Sequence, residues 1–321
     1  MDKYYVLGVD LGGQTAKCGI VNREGEVLAQ TVMVSDRHDD ADGFVSALAD
    51  TLHKLISDAR LDAPVMGIGV GAPNANYYTG EIKHAPNLVW AKNLDIPFAS
   101  MLSERMDGMP VALTNDANAA AVGEMTYGVA RGMKNFIMIT LGTGVGSGIV
   151  VNGDVVYGHD GFAGELGHVC VVRDGRQCGC GLRGCLEAYC SAVGVARTAR
   201  EWLELRPDEQ TLLRLRAEVT SKDVFEAAKA GDRMALEILD FTGSLLGRTF
   251  ASFIAFSAPE AIVLFGGLAR AGEFLTKPIL KAMNESVLPI WRDRVKLLYS
   301  GLSESDAAII GASALAWKFN F

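Results

Sequence analysis

Residues 6–21 read VLGVDLGGQTAKCGIV, and this stretch decides the fold. A β-rich run that ends at Asp10 is followed by Gly12-Gly13, which predicts a strand and then a tight turn. Residues 16–21 predict the returning strand, and residues 26–34 predict a third strand after another glycine turn. The chain therefore opens with a three-stranded meander.

The same pattern returns about 130 residues later in the chain. Residues 141–150 read LGTGVGSGIV and resemble residues 11–21, one residue shorter. Each copy follows an apolar strand and precedes a second glycine turn, at Gly25 and at Gly153. Because this separation is too large for a solenoid repeat, the pattern predicts two similar domains.

Strands alternate with helices along the rest of the chain, which predicts an α/β fold. Helices are predicted over residues 43–59, 117–127, 222–230, 234–256 and 306–317, and buried strands over residues 65–70, 111–114 and 261–265. A length of 321 residues suits two domains. We expect one domain of residues 1–115 plus about 305–321, and a larger one of residues 116–304.

Composition and charge exclude several classes of protein. Hydrophobic residues make up 49% and charged residues 21%, which excludes a disordered or fibrous chain. The net charge of −8 repels phosphate backbones and disfavours nucleic-acid partners. No apolar run reaches the length of about 18 residues that a membrane span needs. The N-terminal residues do not resemble a signal or transit peptide, so we expect a cytoplasmic protein.

Five of the six cysteines lie between residues 170 and 190. In a reducing cytoplasm such a cluster indicates metal binding more than disulfides. His168, Cys178, Cys180 and Cys185 have the spacing His-x9-Cys-x-Cys-x4-Cys, and this donor set suits a closed, structural Zn²⁺ site. Free buried thiols are the alternative. The remaining cysteines, Cys18, Cys170 and Cys190, are expected to be small core residues.

A second set of polar residues lies between a predicted strand and a predicted helix. Asn115 and Asp116 follow residues 111–114, where either side chain could cap the helix. The carboxyl ends of strands also form ligand sites in α/β folds. A carboxylate there could accept a proton from a substrate hydroxyl.

The glycine turns supply backbone amides without side chains. Such turns can bind phosphate groups, and Asp10 beside the first turn could hold Mg²⁺. Residues 142–144 provide a second turn and Gly266-Gly267 a third exposed backbone. Each turn could also serve only as a hairpin. The Walker A pattern is absent from the sequence, so phosphates would have to be bound by these turns.

These segments together resemble the ROK family of sugar kinases, within the actin/hexokinase/Hsp70 superfold. The resemblance rests on residues 10–13, on residues 115–120, on residues 165–168 with the cysteine cluster through Glu187, and on residues 263–267. It extends from about residue 4 to the terminal helix. It implies an actin-like, hexokinase-type ATPase fold of two RNase H-like domains with an interdomain cleft.

The resemblance implies a role for each group of residues. Asp116 would be the catalytic base. The sugar would be bound by Asn74, Asn115, Asp116, Glu165, His168 and Glu187. ATP and Mg²⁺ would be bound by Asp10, Gly12, Gly13, Gln14, Thr15, Lys17, Gly142, Thr143, Gly144, Gly266 and Gly267. Residues 71–74 read GAPN where the family often has Pro-Gly, so Asn74 offers a side-chain amide.

The resemblance implies an ATP-dependent hexose 6-kinase that converts glucose to glucose 6-phosphate, and a homodimer. An N-acetylmannosamine kinase is the alternative within the family. A sugar-responsive transcriptional repressor is the alternative from another class. It is disfavoured because the first hairpin begins near Tyr4, which leaves no room for a preceding DNA-binding domain.

Overall fold

The computed structural model of the chain describes residues 3–303 and 306–319. The strands are β1 (Tyr5–Leu11), β2 (Thr15–Val21), β3 (Val27–Val34), β4 (Val65–Gly71), β5 (Ile82–Lys83), β6 (Asp95–Ile96), β7 (Val111–Thr114), β8 (Phe136–Leu141), β9 (Val145–Val151), β10 (Asp154–Val155), β11 (Ala261–Phe265) and β12 (Lys296–Tyr299). The helices are α1 (Ala41–Ala59), α2 (Phe98–Arg105), α3 (Asp116–Tyr127), α4 (Glu187–Cys190), α5 (Ala192–Leu205), α6 (Ser221–Lys229), α7 (Arg233–Ser257), α8 (Glu273–Ser286) and α9 (Ala307–Ala316). Every predicted strand and helix is present, with boundaries that differ by at most a few residues.

The chain divides into two compact units. Unit 1 contains Met1–Gly132, Asp154–Gly164 and Gly301–Phe321, and unit 2 contains Met133–Gly153 and Glu165–Ser300. The expected boundary between residues 115 and 116 differs from this division. Helix α3 belongs to unit 1 because it packs against α9 and β4. Residue 305 and residues 320–321 of the expected terminal stretch lie outside the described residues.

Unit 1 is built on a five-stranded sheet with the order β3-β2-β1-β4-β7. The β1, β2 and β3 strands are antiparallel neighbours, which confirms the opening meander. The β1, β4 and β7 strands are parallel, and Asp10 is in register with Gly71, which is in turn in register with Thr114. The carboxyl ends of these three strands therefore meet at one edge of the sheet.

Helices cover the sheet of unit 1 because their apolar faces match it. Helix α1 begins at its N-cap Asp40, whose carboxylate accepts the Gly43 amide at 2.8 Å. Its side chains Phe44 and Leu48 are fully buried, and Phe44 stacks on Trp90 with ring centroids 4.2 Å apart. Burial of each such side chain contributes roughly 1.5–3 kcal/mol.

Helix α9 lies directly on strands β1 and β4 of the same unit. A Cβ atom on Gly8 would lie 2.1 Å from the Ile309 carbonyl oxygen, and one on Gly69 would lie 1.9 Å from that of Ala312. Glycine is therefore required at these two strand positions, since any side chain would push the helix away from the sheet.

Unit 2 repeats the arrangement, with its strands in the order β9-β8-β11-β12. The β8 and β9 strands are antiparallel across the glycine turn, and β8, β11 and β12 are parallel. Each sheet thus begins with an antiparallel hairpin and continues with parallel strands, which confirms the internal repeat seen in the sequence. None of the described helices combines the length and the hydropathy that spanning a bilayer requires.

Candidate active site and metal centre

The carboxylate-bearing edge of unit 1 brings Asp10 and Asp116 together. Asp10 lies in β1, and Asp116 is the first residue of α3, directly after β7 and Asn115. Burial raises the pKa of Asp10 from 3.8 to about 6, and the negative charge of Asp116 adds to this increase. The positive charge of Lys17, which lies opposite Asp10 in the β1–β2 register, lowers the pKa of Asp10 and so opposes this increase. The charge of Asp116 therefore raises the free-energy cost of ionising Asp10.

Asn115 is the residue that caps α3. Its side-chain oxygen accepts the Ala117 amide at 2.8 Å, and Oδ1 of Asp116 accepts the same amide at 2.8 Å. Because Asn115 already satisfies this donor, the cap does not depend on Asp116. Oδ2 of Asp116 has no hydrogen bond to any described residue, and the residue is exposed to solvent. One carboxylate oxygen is thus available to a ligand.

The surroundings of Asp116 favour its neutral form. Although the residue is exposed, the protein packed around its carboxyl group desolvates that group and raises its pKa, and the Ala117 amide opposes the change. A raised pKa in a carboxylate brings its basicity closer to that needed to accept a proton near neutral pH.

Substitution of Asp10 by asparagine tests how much the negative charge of Asp10 destabilises the folded protein. Its folded-state pKa lies above its ordinary value, so ionisation destabilises the fold fully above about pH 6. This penalty decreases as the pH falls below about 6 and disappears below 3.8, where the carboxyl group is protonated in both states. Without Mg²⁺ or nucleotide, we expect Asp10→Asn to stabilise the protein by about 2–3 kcal/mol at pH 7.5 and by less than half as much at pH 4.5. Urea denaturation of both proteins at the two pH values measures this, and a gain that does not depend on pH would contradict it.

The turn after β1 has the hairpin geometry that the sequence predicts. The Gly12 amide donates to the Thr15 carbonyl at 2.9 Å, and the Ser35 hydroxyl donates to the Gly12 carbonyl at 2.9 Å. The Gln14 carbonyl accepts the Ser35 amide at 2.9 Å. Ser35, which directly follows strand β3, therefore fixes the turn next to Asp10.

The glycine turns of unit 2 lie at the carboxyl ends of two adjacent parallel strands, β8 and β11. A Cβ atom on Gly144 would lie 2.4 Å from Oε2 of Glu187, and Gly266 has a positive φ of 102° beside the Leu141 backbone. Packing therefore explains these two glycines. A Cβ atom on Gly142 or Gly267 would meet nothing within 4 Å. Those two positions expose bare backbone that can approach a phosphate.

The four predicted metal ligands come together in unit 2. The ligand atoms of His168, Cys178, Cys180 and Cys185 all lie within 4.8 Å of one another. Sγ of Cys178 lies 3.8 Å from Nδ1 of His168, and the Cys180 and Cys185 sulfurs are 3.7 Å apart. Sulfur atoms bound at about 2.3 Å to a tetrahedral Zn²⁺ would be about 3.8 Å apart. The residues therefore fit a four-coordinate zinc ion.

Backbone bonds and one arginine hold the cysteine segment in place. The Cys178 amide donates to the Leu182 carbonyl at 2.9 Å, which closes the loop around the thiols. Arg176 forms an ion pair with Glu201 at 2.5 Å and stacks on the Tyr189 ring at 4.4 Å. This arginine, which no sequence motif indicates, joins the cysteine segment to α5.

Glu187 connects the metal centre to the glycine turn after β8. Its Oε2 accepts the Val145 amide at 2.9 Å, and its Oε1 accepts the Cys178 thiol at 3.6 Å. Cys178 loses that proton when it binds a metal as a thiolate, which removes the donor to Oε1. The sequence predicts Glu187 beside the cysteine cluster, and the resemblance implies that it binds the sugar. The structure shows in addition that it accepts the Val145 amide, directly after the turn at residues 142–144.

Glu165 and His168 share one short 3₁₀ turn in unit 2. The His168 amide donates to the Glu165 carbonyl at 3.1 Å, and the Leu166 amide donates to the Ser147 hydroxyl on β9 at 3.0 Å. The Glu165 residue is exposed. Nδ1 of His168 faces Cys178, which leaves the other ring nitrogen free for another partner. The turn thus presents a carboxylate and an imidazole three residues apart.

Asn74 lies at the carboxyl end of β4, in unit 1, with a positive φ of 52°. Its amide nitrogen donates to the carbonyls of Lys83 at 3.0 Å and His84 at 3.3 Å. The amide therefore closes its own loop. The expected contact with a sugar would have to use the remaining oxygen of the side chain.

Comparisons with known proteins identify the class of protein that carries these features. The profile of the ROK family matches residues 6–318 of the chain. This chain is 39% identical to a glucokinase of Halalkalibacterium halodurans over 98% of this chain and 95% of that protein. It is 34% identical to a glucokinase of Thermotoga maritima over 98% of each chain.

A solved structure shares the fold as well as the sequence. The ROK family glucokinase of Streptomyces griseus, in complex with glucose and AMPPNP, is 31% identical with a TM-score of 0.79. The alignment covers 98% of this chain and 100% of that one. The chain therefore belongs to the ROK family and has the actin-like, hexokinase-type fold, as the resemblance implied.

Proposed function

We propose that this protein transfers the terminal phosphoryl group of ATP to the 6-hydroxyl of a hexose, with glucose as the preferred substrate. The observation that carries the proposal is the carboxylate of Asp116 at the carboxyl end of β7. One oxygen of this carboxylate has no hydrogen bond to the described residues. The side chain of Asn115 caps α3 by accepting the Ala117 amide, so the cap does not require Asp116. The full-length similarity to glucokinases supports the same class of reaction.

The chemistry of phosphoryl transfer explains what Asp116 contributes. The protein mainly positions the reactants and stabilises charge, while the attacking hydroxyl must lose its proton as the new bond forms. Oδ2 of Asp116 accepts that proton, and Oδ1 stays bound to the Ala117 amide, which fixes the orientation of the carboxylate. The raised pKa of Asp116 makes it a stronger base than an ordinary aspartate.

Sugar hydroxyls require several fixed polar partners. In unit 1 these are Asn115 and Asp116, with the side-chain oxygen of Asn74 as a further acceptor. In unit 2 they are Glu165, His168 and Glu187. Glu165 and His168 share one turn, and Glu187 is oriented by the Val145 amide. In this proposal, the metal centre holds the second set of sugar ligands in place.

Zn²⁺ is the metal that the four residues His168, Cys178, Cys180 and Cys185 fit best. Four protein ligands leave no open coordination position, so its role is structural. The ion would orient the His168 ring, whose second nitrogen then keeps one tautomer. Through Cys178 the same centre is adjacent to Glu187.

ATP binding uses the bare backbone of the glycine turns. In unit 2, Gly142 and Gly267 present open backbone, and Thr143 lies between Gly142 and Gly144. In unit 1, Gly12, Gly13, Gln14 and Thr15 form the turn beside Asp10 and Lys17. Asp10 would hold Mg²⁺, which neutralises phosphate charge when it is bound with ATP. A bound cation would also offset the cost of ionising Asp10.

A panel of sugars tests the substrate. ADP release should be coupled to a detection system, with glucose, mannose, fructose and N-acetylmannosamine offered at several concentrations. We expect the highest kcat/KM with glucose and at least about 10-fold less with N-acetylmannosamine, because an additional bulky group must be accommodated in the sugar site. Higher kcat/KM with N-acetylmannosamine would reassign the substrate, and no ADP release with any sugar would contradict the proposed reaction.

The same proposal includes the setting in which the enzyme works. We propose a homodimer in the cytoplasm, on the grounds of the family resemblance and of reduced cysteines that suit metal binding. Sedimentation equilibrium of the purified protein measures the oligomeric state.

A further inference from the structure

One buried asparagine in unit 1 joins two segments that are far apart in the sequence. Asn76 is 2% exposed, and its amide nitrogen donates to the Asp160 carbonyl at 2.6 Å. Its side-chain oxygen accepts the amides of Tyr78 at 3.0 Å and Thr79 at 3.1 Å. All polar atoms of this buried side chain therefore have partners, and one of those bonds spans 84 residues of sequence.

Two contacts of tyrosine side chains, one ring stack and one hydrogen bond, join the same two segments. The rings of Tyr77 and Tyr157 are stacked, with centroids 4.0 Å apart and an interplanar angle of 3°. The Tyr78 hydroxyl donates to the Gly158 carbonyl at 3.0 Å. A Cβ atom on Gly161 would lie 2.6 Å from the Asn76 amide, so the chain passes directly over this side chain. We call this set of contacts the latch, formed by Asn76, Tyr77, Tyr78, Tyr157, Gly158 and Asp160.

Both segments joined by the latch lead to residues of the proposed sugar site. The first segment begins at Asn74, two residues before Asn76. The second ends at Gly164, which is bonded to Glu165. The latch thus joins, within unit 1, the segment that follows Asn74 and the segment that leads to Glu165.

We infer that Asn76 is a positioning residue for the sugar, and that the latch holds the segment at residues 157–164 in the conformation needed for glucose binding. This inference rests on the proposed function. A hydrogen-bonded segment that is already ordered before the ligand arrives costs less entropy on binding. The latch is therefore expected to affect the affinity for glucose more than the affinity for ATP.

The experiment uses the zinc-loaded full chain and measures glucose binding by calorimetry without nucleotide. Asn76→Ala removes the bond to Asp160, and we expect the Kd for glucose to rise by about 10-fold. Tyr78→Phe removes only the hydroxyl of an exposed side chain, and we expect a rise of about 3-fold. The KM for ATP and the zinc content should match those of the wild type in both variants.

Asn22 offers a matched control in the same unit. Its side chain also donates once, to Glu26, and accepts two backbone amides, from Glu24 and Glu26, but all within its own turn. Asn22→Ala should bind glucose within about 2-fold of the wild type. A rise in the Kd for glucose as large as that of Asn76→Ala would overturn the inference, because it would show that the loss of hydrogen bonds in any turn weakens glucose binding.

The remaining outcomes distinguish failure of the inference about the latch from failure of the proposed function. Unchanged glucose affinity in Asn76→Ala overturns the inference alone, provided that the wild type phosphorylates glucose. If Asn76→Ala does not fold, Tyr78→Phe decides, and unchanged affinity there overturns it. If the Kd for glucose and the KM for ATP rise equally, the substitution has made the whole fold less rigid, and this outcome also overturns the inference. A wild type that binds no glucose overturns the proposed function, and this inference with it.

Discussion

Asp116→Asn is expected to lower kcat for glucose phosphorylation by at least about 10²-fold, because it removes the group that accepts the hydroxyl proton. The fold should not suffer, since Asn115 already caps α3 and asparagine retains the oxygen that accepts the Ala117 amide. Stability should rise slightly at neutral pH, because the protein around this carboxylate disfavours its charge. Steady-state kinetics and thermal unfolding of the same preparation measure both effects.

Asp40 provides a control for this substitution. It is an exposed N-cap aspartate in the same unit, and its carboxylate accepts the Gly43 amide at the start of α1. Asp40→Asn makes the same chemical change at a helix N-terminus, and we expect activity within about 2-fold of the wild type. If Asp116→Asn also retained a kcat within a few-fold of the wild type, the base would lie elsewhere, and Glu165 would be the next residue to test.

Cys180→Ser is expected to abolish zinc binding and most of the activity. Loss of one ligand from a closed four-ligand site removes metal binding that stabilises the folded state. Glu187 would then lose the fixed neighbour Cys178, and the His168 ring would lose its orientation. We expect zinc content to fall from about one ion per chain to near zero, and Tm to fall by roughly 5–10 °C. Elemental analysis and thermal unfolding measure these changes.

Cys170 is the matched control for the metal centre. The expectation that it is a core residue is wrong, because Cys170 is exposed, whereas Cys18 and Cys190 are buried as expected. Cys170 lies two residues after His168, and the group of four ligands does not include it. Cys170→Ser should retain the zinc, the Tm and the activity. Wild-type protein that contains no zinc when purified at neutral pH would contradict the metal assignment, and loss of zinc from both variants would contradict the choice of ligands.

The local features of this fold could be predicted from the sequence because each depends on neighbouring residues. The glycine turn after Asp10 and its repeat after Leu141 mark the two hairpins, and each hairpin begins a sheet. The apolar spacing of Phe44, Leu48 and Leu52 identifies α1, and these side chains are buried. The cysteine spacing brings four ligand atoms together because the loop between them is short.

The features that the sequence did not reveal depend on contacts between distant residues. Segment Asp154–Gly164 belongs to unit 1, although it lies between two parts of unit 2 in the sequence. Contacts such as the Tyr77–Tyr157 stack hold it there, and no local pattern around Tyr157 indicates this. The bond between Glu187 and the Val145 amide spans 42 residues, so the anchored carboxylate could not be inferred from the cluster alone.

The most direct test of the central claim is to identify the product that the purified protein forms from glucose and Mg²⁺-ATP. Phosphorus and carbon NMR of the reaction mixture should show one new phosphate ester, on the 6-hydroxyl of glucose, formed in equal amount to ADP. ADP formed without a sugar phosphate, or a phosphate ester at another hydroxyl, would contradict the account.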